Sequence, residues 1–107
     1  MSEPKPPEHL KREGRRFWRA VRRDYAVDDA AGLALLTTAA ECLDRIRAAQ
    51  AAISQHGETV TDRYGQLKVN PACSLEKDAR NGFLAALKDM HLDIEPLRDA
   101  PGRPPGK

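Results

Sequence analysis

Aromatic side chains are scarce in this chain of 107 residues: two Phe, two Tyr and one Trp make up 5% of it. Much of the remaining apolar content is alanine, so the core has little bulk and stability completed by association is expected. Only two cysteines occur, Cys42 and Cys73, with no CxxC pattern and no signal peptide. They read as reduced, packing cysteines of a soluble cytosolic protein rather than a disulfide framework. No apolar run nears the ~18 residues of a membrane span. His9, His56 and His91 lie on separate segments without the paired spacing of a zinc site. No glycine-rich loop leads into Lys-Ser/Thr, so a P-loop is excluded. Cys42 has no histidine close in sequence to activate it, and the acidic residues are spread singly. No catalytic residue, metal ligand or cofactor is expected, and the chain does not read as an enzyme.

What is present is helical periodicity and an uneven charge distribution. The net charge is only +2, yet Met1–Tyr25 carries eight Lys/Arg against four Asp/Glu, whereas Ala26–His56 carries two against four. The fold class expected is mainly α in one domain, residues 8–97. A flexible arm of residues 1–7, rich in proline, precedes it, and a disordered tail of residues 98–107 follows. The longest helical pattern runs over residues 29–56, with Asp28 and Asp29 at its head and Gly57 expected in the left-handed conformation behind it. Leu36, Ala39, Leu43, Ile46, Gln50 and Ile53 recur in steps of three and four, and Leu35, Ala40, Cys42 and Ala49 widen that row. So wide an apolar arc suits a helix with partners on two sides. Leu36, Leu43, Ile46 and Ile53 are the candidate oligomer interface; a helix sandwiched inside one monomer would show the same pattern.

A shorter helix is expected over residues 8–25. Leu10, Gly14, Phe17, Trp18, Val21 and Tyr25 share one face, which docks on the body of the protein. Arg12, Arg15, Arg16, Arg19, Arg22 and Arg23 occupy the opposite flank, with Glu13 and Asp24 toward the margin. Arginine keeps its charge and offers a planar fork of donors, so these six are the candidate contacts to the phosphates of double-stranded DNA. The competing reading has the same arginines paired with carboxylates of a neighbouring helix or subunit, such as Glu41 or Asp44. No helix displays the polar mixture that reads base edges, so contact with the DNA backbone is expected.

Between the second and third helices, Thr59–Asp62 and Gln66–Val69 read as a small β-hairpin turning at Gly65. Two strands alone are marginal, so the hairpin must lean on the helices or join strands of neighbours. Arg63 and Lys68 there either touch nucleic acid or keep an edge soluble. Asn70-Pro71 starts the last helix, residues 71–91, whose stripe of Leu75, Ala79, Phe83, Ala86, Leu87 and Met90 packs against the long helix as an antiparallel hairpin. Ile94 and Leu97 are expected to dock loosely after it.

Taken in order, these features resemble the phage terminase small subunit family in its compact helical form. The likeness is carried by Leu10, Glu13-Gly14 and Trp18, then Tyr25-Ala-Val-Asp28-Asp29 and Leu33. Gly57, Gly65, Asn70-Pro71-Ala72 and Leu92-Asp-Ile-Glu-Pro96 complete it. The chain departs at His91, where the family tends to have glycine, and at Asn70, where histidine is common before the proline. The resemblance implies a homo-oligomeric ring that recognises viral DNA at a packaging start site. It also implies recruitment and stimulation of the large terminase subunit, which holds the ATPase and nuclease, in the cytoplasm of a bacterial host. The alternative is a helical adaptor that forms oligomers without binding DNA, its arginines paired with a partner protein. A two-fold symmetric transcriptional regulator is a third reading.

Overall fold

A computed structural model of the chain describes residues 4–92. The expected docking of Ile94 and Leu97 and the expected disorder of 98–107 lie outside these residues. The fold is three helices, α1 (Arg12–Tyr25), α2 (Ala30–His56) and α3 (Pro71–Asp89), with a two-stranded antiparallel sheet, β1 (Thr59–Thr61) and β2 (Leu67–Val69), between α2 and α3. The mainly α expectation, including the helical hairpin and the small β-hairpin, is what the structure shows.

The long helix starts where the carboxylate of Asp29 accepts the Gly32 N–H (3.1 Å), a capping bond that occupies one of the free donors of the first turn. It ends at Gly57, with φ 89° and ψ 168°. The positive φ is as expected but the left-handed helical conformation is not. Gly57 sits instead in an extended region of positive φ that is almost closed to residues with a Cβ. Asn70 then ties both helices together. Its side chain accepts the Ala72 N–H (2.9 Å) at the head of α3 and donates to the Gly57 carbonyl (2.8 Å) at the tail of α2. Asn70 is buried, which fits a residue with both amide functions satisfied.

α3 returns antiparallel along α2, Gln50 meeting Glu76 near one end (3.0 Å) and Cys42 facing Gly82 farther along. The buried seam of α3 is Ala72, Ala79 and Ala86, seven residues apart, and on α2 it is Ala39, Cys42, Ile46 and Ala49. Small residues on both sides let the helices approach closely, which is how so few bulky side chains suffice. Leu75, expected in the stripe, is 62% exposed. The seam is centred on alanines, and Leu75 stands at its edge. α1 crosses the N-terminal half of α2, also antiparallel, burying Leu10 and Trp18 against Leu36 and Ala40 with Phe17, Val21, Leu33 and Met90 around them. The indole N–H of Trp18 donates to Thr37 Oγ1 (3.2 Å), and Phe17 meets Phe83 with ring centroids 5.4 Å apart, joining α1 to α3.

The hairpin pairs Thr59 with Val69, Val60 with Lys68 and Thr61 with Leu67. Asp62 shapes its turn by accepting the N–H groups of Tyr64 and Gln66, and Gly65 takes φ 82°. Among the strand residues only Val60 is half-buried, so the hairpin leans little on the helices. Leu67 and Val69 lie on its bare face.

Two helix ends are closed by residues other than glycine in the left-handed region: Ala26 (φ 52°) after α1 and His91 (φ 63°) after α3. At α3 the Leu92 N–H reaches the Leu87 carbonyl (2.7 Å) and the His91 N–H reaches Lys88 (2.9 Å), the paired bonds of a Schellman ending. A side chain in that conformation costs about 1 kcal/mol. Ala26→Gly and His91→Gly should therefore each stabilise the fold, raising the melting midpoint by roughly 4–8 °C in a calorimetric scan; a fall in either case would contradict the capping geometry.

Candidate nucleic-acid interface

Helix α1 was expected from Glu8 and begins at Arg12. Pro6 and Pro7 hold the preceding chain extended, the Leu10 N–H turns back to the Pro7 carbonyl (3.2 Å), and Lys11 at the N-cap makes no side-chain capping bond. The cap comes from another helix. Asp44 on α2 accepts the Lys11 N–H and the Gly14 N–H, both at 2.7 Å, placing a carboxylate at the positive end of α1. Gly14 is what permits this. A Cβ on it would overlap the Asp44 carboxylate and lie 2.7 Å from the Ala40 carbonyl oxygen, so α1 and α2 cross there in backbone contact.

The crossing fixes the rotation of α1. With Gly14 and Trp18 turned to α2, the six candidate arginines fall on the other side, where they divide into two groups. Arg12, Arg16 and Arg19 are exposed and make no ion pair or hydrogen bond among the described residues. The others are engaged within the chain. Arg15 donates to the carbonyls of Glu8 (3.0 Å) and Leu10 (2.9 Å), Arg22 to Asp28 (2.9 Å), and Arg23 to its neighbour Asp24 (2.9 Å). The Arg23 pair is exposed on both sides and worth little against water, so Arg23 can exchange Asp24 for a stronger anion. Arg22 is held more firmly, its side chain being only 18% exposed.

The acids named as rival partners for the stripe are taken by other donors. Glu41 Oε2 lies 2.7 Å from His9 Nε2, and Asp44 holds the two backbone N–H groups. Glu13 faces Arg47 of α2 at 4.0 Å rather than the stripe. Two open depressions flank the basic ridge. One is lined by Arg12, Arg15, Arg16, Arg19 and Arg23, the other by Arg19, Arg22 and Arg23 with residues of the arm. Arg19 and Arg23 border both.

Of the residues expected at an oligomer interface, Leu36 is 0% and Ile46 3% exposed, both consumed by packing within the chain, while Leu43 and Ile53 are half-buried. A neighbour cannot reach Leu36 without opening the core. Apolar surface lies elsewhere, on Leu67, Val69, Leu75 and Leu84.

Nothing in the rest of the described residues assembles a reaction centre. No group of three His, Cys, Asp or Glu residues there could hold a metal ion. Burial pushes the Cys42 thiol above its usual range, the opposite of an activated nucleophile. Glu76, held below the usual carboxylate range by hydrogen bonds from Gln50 and Arg80, links α2 to α3. No helix of the described residues is long and apolar enough to cross a membrane.

Neither a curated protein nor a solved structure matches significantly. Residues 15–96, most of the chain, match the family described as phage terminase, small subunit. With the match spanning all of α2, the hairpin and α3 and nearly all of α1, the chain belongs to the phage terminase small subunit family.

Proposed function

We propose that this protein is the DNA-binding small subunit of a phage packaging terminase, and that it grips duplex DNA through the exposed arginines of α1. The observation that carries the reading is the solvent-facing row Arg12, Arg16 and Arg19, which has no carboxylate partner among the described residues. Three exposed arginines on a helix whose other side is anchored by Trp18 are presented to a polyanion with no internal pair to give up. The contacts go to phosphate and sugar, so discrimination between sequences comes through DNA shape rather than base edges.

Family membership supports a role in phage DNA packaging. The protein acts in the bacterial cytoplasm as a homo-oligomer, a ring, that recruits or stimulates the large subunit. Assembly uses the half-buried Leu43 and Ile53 and the bare apolar side chains of the hairpin and α3. A ring repeats the arginine row once per subunit and multiplies weak phosphate contacts through avidity.

Fluorescence anisotropy with a labelled mixed-sequence duplex, read beside light scattering, tests this. Binding that weakens steeply as salt rises is expected from an oligomer of more than two chains. A stable oligomer without duplex binding at low salt would instead establish the adaptor, and a dimer would favour a two-fold regulator over a ring.

A further inference from the structure

We propose that the N-terminal arm and the C-terminal half of α1 form a phosphate-binding cradle in which Lys5 joins Arg19, Arg22 and Arg23. This rests on the duplex-binding reading and adds to it a residue outside the helix and a specific place for a backbone phosphate. The arm folds back beside α1 instead of running away from it. Pro4, Lys5 and Pro6 line an open depression of about 830 Å³ together with Arg19, Arg22 and Arg23. Four cations thus border one concavity; among the described residues lining it the one carboxylate is Asp28, held by Arg22, while Arg23 is paired with its neighbour Asp24. Lys5 and Arg19, which make no ion pair among the described residues, are the charges presented where an anion would sit.

Two features hold Lys5 in place at little entropic cost. Prolines on both sides restrict the backbone to an extended form before any ligand arrives. The turn that reverses the arm is tied by Arg15, whose guanidinium bonds the carbonyls of Glu8 and Leu10, and by the Leu10 N–H on Pro7. Arg15 is therefore a positioning residue: it spends its donors on backbone carbonyls and sets where Lys5 lies. Because Arg19 and Arg23 border both depressions, a strand gripped by Arg12 and Arg16 continues directly into the cradle.

The ligand is a phosphate group, either in the duplex backbone or free, and two measurements separate the sources. In the first, Lys5→Gln, an exposed change that leaves the fold intact, is compared with wild type for duplex binding across a salt series. The slope should flatten by about 0.9 and affinity at 0.1 M salt should fall roughly eightfold, the loss of one phosphate contact. Arg15→Gln should give a similar loss, and the double variant no further loss, because both remove the same contact. An unchanged slope in Lys5→Gln beside a flattened slope in Arg12→Gln would overturn the cradle while leaving duplex binding in place. Additive losses in the double variant would overturn the positioning role of Arg15. In the second, inorganic pyrophosphate is titrated into isotope-labelled full-length protein. Saturable shifts at the Lys5 and Arg19 side-chain signals, weakened in Lys5→Gln, are expected and would stand even if the protein bound no duplex; no shift at either would overturn the cradle.

Discussion

Gly14→Ala should lower the melting midpoint by on the order of 10–20 °C and release α1 from the rest of the fold. A methyl at this position meets the Asp44 carboxylate and, at 2.7 Å, the Ala40 carbonyl. The first can swing aside only by giving up the Lys11 and Gly14 N–H groups that it caps, and the second is backbone that cannot move alone. Two charge-assisted hydrogen bonds are worth about 1.5–3 kcal/mol each. Alanine returns up to about 1 kcal/mol through its better helix propensity. The balance is a loss of about 2–5 kcal/mol, and each kcal/mol moves the midpoint of a domain this size by roughly 4–8 °C. Trp18, the single tryptophan, reports the release, because an undocked α1 exposes its indole and shifts emission to the red. Asp44→Asn keeps the space but leaves one acceptor oxygen for two N–H groups, giving up one cap and the charge while sparing the crossing, so its loss should be smaller. A Gly14→Ala variant as stable as wild type would show that the helices do not cross at Gly14.

The second large effect concerns binding. Arg12, Arg16 and Arg19 replaced together by glutamine should flatten the salt slope of duplex binding by about 2.7, three contacts at ~0.9 each. At 0.1 M salt that corresponds to an affinity loss on the order of 10²- to 10³-fold. Stability should change little, since all three side chains are exposed and support no other residue among those described. The same treatment of Arg15 and Arg22 would mix binding with structure, because one holds the arm's turn and the other bridges to Asp28. An affinity within a few fold of wild type would remove the arginine row as the DNA contact.

The contrast between these residues marks how far sequence could be read. The ends of α2 and the head of α3 were legible because their signals are local: Asp29 caps three residues ahead, and Asn70 caps across the adjoining Pro71. The flank of α1 that carries arginine was legible from periodicity, since Gly14 and Trp18 share the other one. What each arginine does was not. Arg15 and Arg16 are neighbours of one chemistry, yet one is drawn to two carbonyls of a turn that sequence had assigned to helix. The start of α1 failed for the same reason: its cap, Asp44, lies 30 residues beyond Gly14 and carries no local signature. Leu75 was misplaced because a leucine outweighs alanine in any hydrophobic pattern, whereas the close approach of α2 and α3 favours Ala72, Ala79 and Ala86. Leu36 and Ile46 fit either a neighbour or the protein's own core, and only three-dimensional packing assigns them to the core.

The most direct measurement is chemical footprinting of arginine with and without duplex. The protein is treated with phenylglyoxal at low salt and the modified sites are mapped by mass spectrometry. Arg12, Arg16 and Arg19 are expected to react readily alone and to be protected by duplex, while Arg80, paired with Glu76 on α3, stays as reactive as before. Unchanged reactivity at those three, with protection at Arg63 of the hairpin instead, would place DNA on a different surface and contradict the assignment of α1.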